Sequence, residues 1–477
     1  MHAIALRQCV GPGLALVVWL AVQGAGLPGD MAAVLAAAAW ILAWWVLEAA
    51  PLGVTSVMPL VLFPLFGVTD VAEAAVPYGS KYVFLFMGGF LIALALERWQ
   101  LHRRFALNIL VLAGGQPRRL LAGFMLATAG LSMWISNTAT TLMMLPIAMS
   151  VLNKIRVDRH PRFPVALLLG TAYAANLGGI ATLVGTPPNV AMAGLLETHV
   201  GQSVPFLEWM VMAVPFSALM LAVVYVLLTR VLCRISSDAM DTGVDELRQE
   251  LQSIGPWSVA EQRVAWVFGG TACLWVGRRL LVEHLGMPLN DTSIAMAAGV
   301  ALFLIRSQEE TQRTLLTWAQ AQRLPWDILL LFGGGLTLAA QLAKVGVLDM
   351  VAENLASIPS LSTGLLVAGF VMMSLFLTEV MSNLALTVVL VPVVANVAVL
   401  WGLDPLLLVV PVTMASSCAF MLPMATPPNA IVFGSGRLTM PTMVRIGVVL
   451  NLVAAAVAWA WSTALPARSL CSNSTST

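Results

Sequence analysis

Two kinds of polar string recur in this chain inside apolar surroundings, and they are where chemistry is available. Ser136-Asn137-Thr138 and Ser382-Asn383-Leu384 form one pair; Gly185-Thr186-Pro187-Pro188-Asn189 and Ala425-Thr426-Pro427-Pro428-Asn429 form the other. Hydroxyl, amide and main-chain oxygens are ligands for a hard cation, while Ser or Asn at a helix start caps amides whose partial positive charge draws an anion. Ser132 and Ser136 stand four residues apart, as do Thr378 and Ser382, a spacing that in a helix stacks the hydroxyls on one face. Each proline pair removes two amide donors and blocks the carbonyls one turn earlier, which leaves oxygens free for a cation. Apart from Glu379 beside Thr378, the strings hold no Arg, Lys, His, Asp or Glu. An anion bound there has no fixed cationic partner, so cations entering with it would supply the charge. Either one alone would meet an uncompensated desolvation cost.

The strings belong to a longer repetition. Residues 83–91 (VFLFMGGFL) resemble 328–336 (ILLLFGGGL), 136–146 resemble 382–392, and 185–189 resemble 425–429, at offsets of 245, 246 and 240 residues. Three landmarks in one order at nearly one spacing point to two related halves. Irregular backbone in lipid is tolerated only where protein or a watery cavity surrounds it, so the strings mark a buried site. Matched interruptions in two halves are the sequence mark of a secondary transporter, whose halves are commonly inverted relative to each other. A simple proline kink is the competing reading, and it leaves the Thr, the Asn and the recurrence unexplained.

The elements that must position these strings are membrane helices. With 59% hydrophobic and 10% charged residues among 477, the chain cannot give a soluble domain a polar surface. Eleven to thirteen apolar stretches, among them 165–182, 208–232, 325–341, 384–401 and 443–465, approach the length that spans the hydrocarbon core. The stretch at 13–28 is read as a retained helix rather than a signal peptide. Basic residues cluster at Arg98, Arg103, Arg104, Arg118 and Arg119 and again at Lys154, Arg156, Arg159 and Arg162. Successive basic loops fall on one side only if a segment between them enters and leaves by the same face. Residues 233–263 mix Arg234, Arg248 and Arg263 with Asp238, Asp241, Glu246 and Glu261; they read as a surface linker between halves, helical around 243–253. The odd, scattered set Cys9, Cys233, Cys273, Cys418 and Cys471 indicates neither a disulfide framework nor a zinc or redox site.

With these strings, SNTAT at 136–140, GGIATLVGTPPN at 178–189, SNLALT at 382–387 and ATPPNAIVFGSG at 425–436, the chain resembles the divalent anion:sodium symporter family of dicarboxylate, citrate and sulfate carriers. The likeness runs from about residue 30 to 465. It implies an all-α polytopic protein of the inner membrane with about 11 transmembrane helices and two re-entrant helical hairpins. It also implies a homodimer in which a scaffold carries an elevator-type transport domain. The division expected is N-terminal scaffold helices at 1–68, a first repeat at 69–232 with a hairpin near 119–136, the linker at 233–263, a second repeat at 264–465 with a hairpin near 364–382, and a polar tail at 466–477.

The same resemblance puts one sodium on Ser132, Ser136, Asn137 and the backbone of Gly185. A second falls on Thr378, the backbone of Met381, Asn383 and the backbone of Ala425. The dianion then lies against Ser136, Asn137 and Thr138 on one side and Ser382, Asn383, Thr426 and Pro427 on the other. Leu384 departs from the family pattern, since a hydroxyl is expected there. The implied activity is sodium-coupled symport of a C4-dicarboxylate such as succinate, malate or fumarate, with sodium cotransported and no organic cofactor. A sodium-independent dicarboxylate exchanger and a sulfate or tricarboxylate carrier are the alternatives on the same fold.

Other residues carry plainer readings. Glu48, Glu97 and Glu379 edge apolar runs, and Glu379 is open between a structural hydrogen bond at the hairpin tip and a direct role with the ion. His102, His160, His199 and His284 fall in or near expected loops, where solvation is the ordinary fate. An ATP-driven pump is disfavoured by the lack of a G-x-x-x-x-G-K-[ST] loop, and an intramembrane enzyme by the lack of an H-E-x-x-H or G-x-S-x-G string.

Overall fold

The computed structural model describes residues 2–154, 162–235, 244–309, 312–356 and 362–464. Arg156, Arg159, His160, Asp238, Asp241 and the tail at 466–477 lie outside the described residues. Among the described residues there is no strand, only an isolated bridge between Arg306 and Thr314, and the all-α expectation holds. Among the described residues, seven helices are long and apolar enough to cross a membrane: Leu6–Gly24, Gly29–Leu47, Phe163–Ile180, Phe206–Leu232, Trp326–Lys344, Asn383–Leu400 and Met440–Thr463. The pair Val71–Gly79 and Lys81–Arg98, bent by 41° at the break, passes the same test only when taken together. Leu52–Leu65, Asp291–Leu304, Thr363–Leu377 and Pro405–Ser416 are apolar but shorter, and the last two stop where the second half's polar turns begin.

Lipid offers helices no hydrophobic reason to associate, so contact is driven by close packing of small residues. Helices Pro117–Ser132 and Phe163–Ile180 show this: a Cβ on Gly178 would stand 2.3 Å from the Ala129 carbonyl oxygen, so the two backbones touch. The halves interlock rather than sit side by side. Helix Asn137–Lys154 of the first half packs on Pro427–Phe433 of the second, and Asn383–Leu400 of the second packs on Pro187–Val200 of the first. Away from this crossing, His2–Gly24 lies along Gly29–Leu47, with Trp44 Nε1 donating to the Gln8 carbonyl at 3.1 Å, and Lys81–Arg98 lies along Asp291–Leu304.

Two expectations change in detail. Residues 119–136 hold one helix, Pro117–Ser132, and the turn after it, rather than both arms of a hairpin; the second arm is Asn137–Lys154. The second half has the same form, with Thr363–Leu377, a turn, and Asn383–Leu400. The chain breaks at Ser-Asn because these residues start the next helix, so the motif sits at the bend. The linker is helical at Val244–Ser253 and largely exposed, but it is anchored at a few points rather than free. Helix Val244–Ser253 packs on Leu101–Ala113, and Arg104 forms an ion pair with Glu261 at 3.1 Å in which the side chains are 6% and 7% exposed. The same guanidinium donates to the Gly255 and Pro256 carbonyls, so the linker is clasped to the first half.

Candidate functional site

The first half builds a small oxygen cluster at its bend. Helix Pro117–Ser132 ends with the Ser132 hydroxyl 2.7 Å from Asn137 Oδ1 and 2.7 Å from the Ala175 carbonyl oxygen. A hydroxyl carries one hydrogen, so three oxygens share a single proton and the cluster is rich in unused lone pairs. The Asn137 amide is pressed onto Gly179, where any Cβ would come within 2.3 Å of Oδ1. Gly185 closes the other side, since a Cβ there would lie 2.5 Å from the Gly179 carbonyl oxygen and 3.0 Å from that of Ser132. Only glycine admits that approach. The turn between is held by Asn189, whose Nδ2 donates to the carbonyls of Gly179, Ile180 and Thr182 at 3.0, 3.1 and 2.7 Å. Thr182 in turn donates to the Met133 carbonyl.

The second half repeats the cluster atom for atom. The Thr378 hydroxyl stands 2.7 Å from Asn383 Oδ1 and 2.5 Å from the Ser416 carbonyl oxygen. Thr387 donates to the Asn383 carbonyl at 2.8 Å, as Thr141 does to that of Asn137. Asn429 Nδ2 donates to the Ala419 and Leu422 carbonyls, both at 3.1 Å, which is the Asn189 clamp again. Where the first half has Met133, the second has Glu379. Its carboxylate is 2% exposed and accepts from the backbone amides of Phe420, Met421 and Leu422 at 2.8 to 2.9 Å and from Asn451 Nδ2 at 2.8 Å. Four donors hold it in place, which is a structural hydrogen-bonding role.

The prolines do not interrupt helices; they begin them. Pro187 and Pro427 are first residues of Pro187–Val200 and Pro427–Phe433, where a missing amide costs nothing, and Thr186 and Thr426 precede them in extended backbone. The expected i to i+4 stacking of Ser132 on Ser136 and of Thr378 on Ser382 is also replaced. Each upstream hydroxyl meets the Asn five residues on, because the helix has ended.

The expected site residues divide by depth. Ser132, Gly185, Thr378, Ala425 and Thr426 are buried, Ser136, Asn137, Thr138, Met381 and Asn383 are half-buried, and Ser382 and Pro427 are exposed. Ser136 and Thr138 line a cavity of about 370 Å³ with Glu97, His102, Ile135, Ala139, Leu142 and Met143. His102 is not simply solvated: its Nδ1 is 2.9 Å from the Leu96 carbonyl oxygen. Ser382, Asn383, Thr426 and Pro427 do not line this cavity, and Leu384 is buried in the core. Thr426 is nonetheless tied to the first half, where Asn176 Nδ2 donates to its hydroxyl at 3.1 Å. The Ala175 and Ser416 carbonyls, Asn176, Tyr173 and Asn451 are signalled by no motif. Asn189 and Asn429 are visible as the last letters of theirs.

Set beside known proteins, the chain matches the model of the sodium:sulfate symporter transmembrane region over residues 11–465. A sodium-dependent dicarboxylate transporter, SdcS, of Staphylococcus saprophyticus is 37% identical over 459 residues, covering 94% of this chain and 88% of that one. SdcS of Staphylococcus aureus strain NCTC 8325 is 36% identical over the same share of both. Among solved structures, the YdaH transporter of Alcanivorax borkumensis aligns with a TM-score of 0.57 at 14% identity, covering 86% of this chain and 91% of that one. MtrF of Neisseria gonorrhoeae aligns with a TM-score of 0.58 at 11% identity, covering 82% and 83%. These two likenesses speak for the fold alone.

Proposed function

The chain belongs to the sodium:sulfate symporter family and is a multi-pass membrane protein, and on that footing we propose that it is a sodium-coupled symporter of C4-dicarboxylates such as succinate, malate or fumarate. The observation that carries this reading is the doubled cluster, in which Ser132 with Asn137 and Ala175, and Thr378 with Asn383 and Ser416, gather three oxygens around one hydrogen. A site with surplus lone pairs and no carboxylate of its own suits a monovalent hard cation. Sodium on Ser132, Ser136, Asn137 and Gly185, and on Thr378, Met381, Asn383 and Ala425, supplies the charge that the neutral strings lack. The dianion binds beside them, on Ser136, Asn137 and Thr138 and on Ser382, Asn383, Thr426 and Pro427. Among the described residues, those lining the cavity at Ser136 and Thr138 include no Lys or Arg and one carboxylate, Glu97, so a dianion there depends on accompanying cations for counter-charge.

The arms that meet at each Ser-Asn bend, Pro117–Ser132 with Asn137–Lys154 and Thr363–Leu377 with Asn383–Leu400, are the re-entrant hairpins of this reading. They move with the site as an elevator against a dimeric scaffold that includes residues 1–68. The protein performs transport and no covalent chemistry. The test is uptake of labelled succinate into proteoliposomes under an inward sodium gradient against an inward potassium gradient. Sodium-driven accumulation is expected. Uptake indifferent to sodium, or needing dicarboxylate inside, moves the reading to an exchanger, and sodium-driven uptake of sulfate alone replaces the substrate.

A further inference from the structure

Asn176 sits on helix Phe163–Ile180, one residue after the carbonyl that receives the Ser132 hydroxyl, and is fully buried. Its Nδ2 reaches across to the other half and donates to Thr426 Oγ1 at 3.1 Å. Thr426 is the cap of helix Pro427–Phe433, and the same oxygen accepts from the Asn429 amide at 3.4 Å. A threonine hydroxyl has two lone pairs and one hydrogen. With both lone pairs engaged, the hydrogen is the valence left, and among the described residues nothing accepts it. A buried hydroxyl with an unspent hydrogen is costly in lipid unless something arrives to take it.

The arrangement is not mirrored. The position matching Asn176 in the second half is Ser417, one residue after the Ser416 carbonyl that receives Thr378, and its buried Oγ has no hydrogen-bond partner among the described residues. Thr186, the counterpart of Thr426, makes no side-chain cap bond. One half therefore sets the polarity of a hydroxyl in the other, and the reverse does not occur.

We infer that Asn176 is a positioning residue for the anion: by filling a lone pair of Thr426 it fixes that hydroxyl as a one-way donor to a carboxylate oxygen of the substrate. The inference rests on the dicarboxylate symport reading. It also assigns a use to the other end of the amide. Asn176 Oδ1 is buried without a partner among the described residues, so the junction offers one free donor and one free acceptor side by side, suited to an anion arriving with its cation.

The experiment measures succinate uptake by the full chain in proteoliposomes at saturating sodium, with KM and kcat determined separately. Asn176→Ala is expected to raise KM for succinate about tenfold, the loss of an oriented hydrogen bond to a charged group, with kcat changed less than about twofold. Asn176→Asp has nearly the same shape but puts an acceptor where the amide donor stood. Thr426 then donates to the new carboxylate, so its hydrogen is diverted from the substrate and KM rises by more than about tenfold. A purely structural Asn176 would show the buried carboxyl as lost folding stability or lowered kcat with KM for succinate unmoved, whereas the positioning role moves KM. Thr426→Ala should reproduce Asn176→Ala, and the double variant should add nothing further. Tyr173→Phe removes a different cross-half bond, from Tyr173 to the Phe420 carbonyl at 2.8 Å, and should leave KM within about threefold. If Asn176→Ala does not fold, Asn176→Asp and Thr426→Ala carry the test. Unchanged KM in Asn176→Asp, or additive effects in the double variant, overturns the inference. Native protein without sodium-driven succinate uptake sinks the functional reading instead, and the same variants are then read with labelled sulfate.

Discussion

The two halves hold the same oxygen cluster by different means. Beyond the Asn189 and Asn429 clamps common to both, the support in the first is close packing at Gly179 and Gly185 with a bond from Thr182 to the Met133 carbonyl. In the second, Ala419 and Ala425 replace those glycines, and the turn is gripped by the Glu379 carboxylate through three consecutive amides and Asn451. The distance from hydroxyl to Asn Oδ1 is 2.7 Å in both. Geometry in the oxygen cluster is shared while the way it is secured is not, which is what is expected if a common ligand imposes the first and only local packing decides the second.

That comparison can be broken in order of effect. Asn137→Ala and Asn383→Ala each remove the amide oxygen at the centre of a cluster, so both should lower sodium-driven succinate uptake by about 100-fold or more, a loss of ~3 kcal/mol in a charged contact. Normal uptake in either variant would mean that the halves are not equivalent ion sites. Glu379→Gln puts an amide NH₂ against backbone donors, and should destabilise the protein by about 3 kcal/mol in thermal unfolding in detergent. An unchanged melting point would show that the carboxylate does not hold the 420–422 turn.

The remaining pair of tests is finer. Gly185→Ala should raise the sodium concentration for half-maximal uptake about tenfold, because the new Cβ meets the Gly179 carbonyl oxygen at 2.5 Å, whereas Ala425→Gly should shift it about twofold or less. Equal shifts would show that the first half is no more tightly built than the second. Smallest is the contrast between the capping serines in thermal unfolding without substrate. Ser136 Oγ accepts from the Ala139 amide at 3.3 Å and its loss in Ser136→Ala should cost about 1 kcal/mol, while Ser382 makes no cap bond and Ser382→Ala should stay within about 0.5 kcal/mol of native. Reversed costs would overturn the assignment of the cap.

Much of the architecture was legible in advance because lipid makes the pattern coarse. Apolar stretches at 165–182 and 384–401 became helices Phe163–Ile180 and Asn383–Leu400, and Ser-Asn marked helix starts because capping preferences are local. The free carbonyls expected before the proline pairs were misplaced for a local reason as well: prolines at a first turn displace no helical bond. What could not be read is non-local. Asn176 and Thr426 are 250 positions apart, Tyr173 and Phe420 are 247 apart, and nothing in either neighbourhood announces the other. Glu379 was visible as a buried acid, but its grip depends on three amides turning toward it, a property of a loop's path rather than of residue types. The linker is charged and mostly exposed, and what its sequence does not show is that Arg104, on another helix, buries Glu261 by supplying the opposite charge.

The crossed packing of the halves has a consequence for biosynthesis. Helix Asn137–Lys154 packs on its neighbours Pro117–Ser132 and Phe163–Ile180 early, but its contact with Pro427–Phe433 must wait until more than half the chain has been added. At ribosomal rates of roughly 5–20 residues per second, helix Asn137–Lys154 waits for tens of seconds in the bilayer before its partner Pro427–Phe433 is made. For that interval the nascent chain must be shielded by the insertion machinery or by its own early helices. Truncation before the second Thr-Pro-Pro-Asn string therefore leaves an unfinished surface rather than a working half, a natural target for membrane proteases.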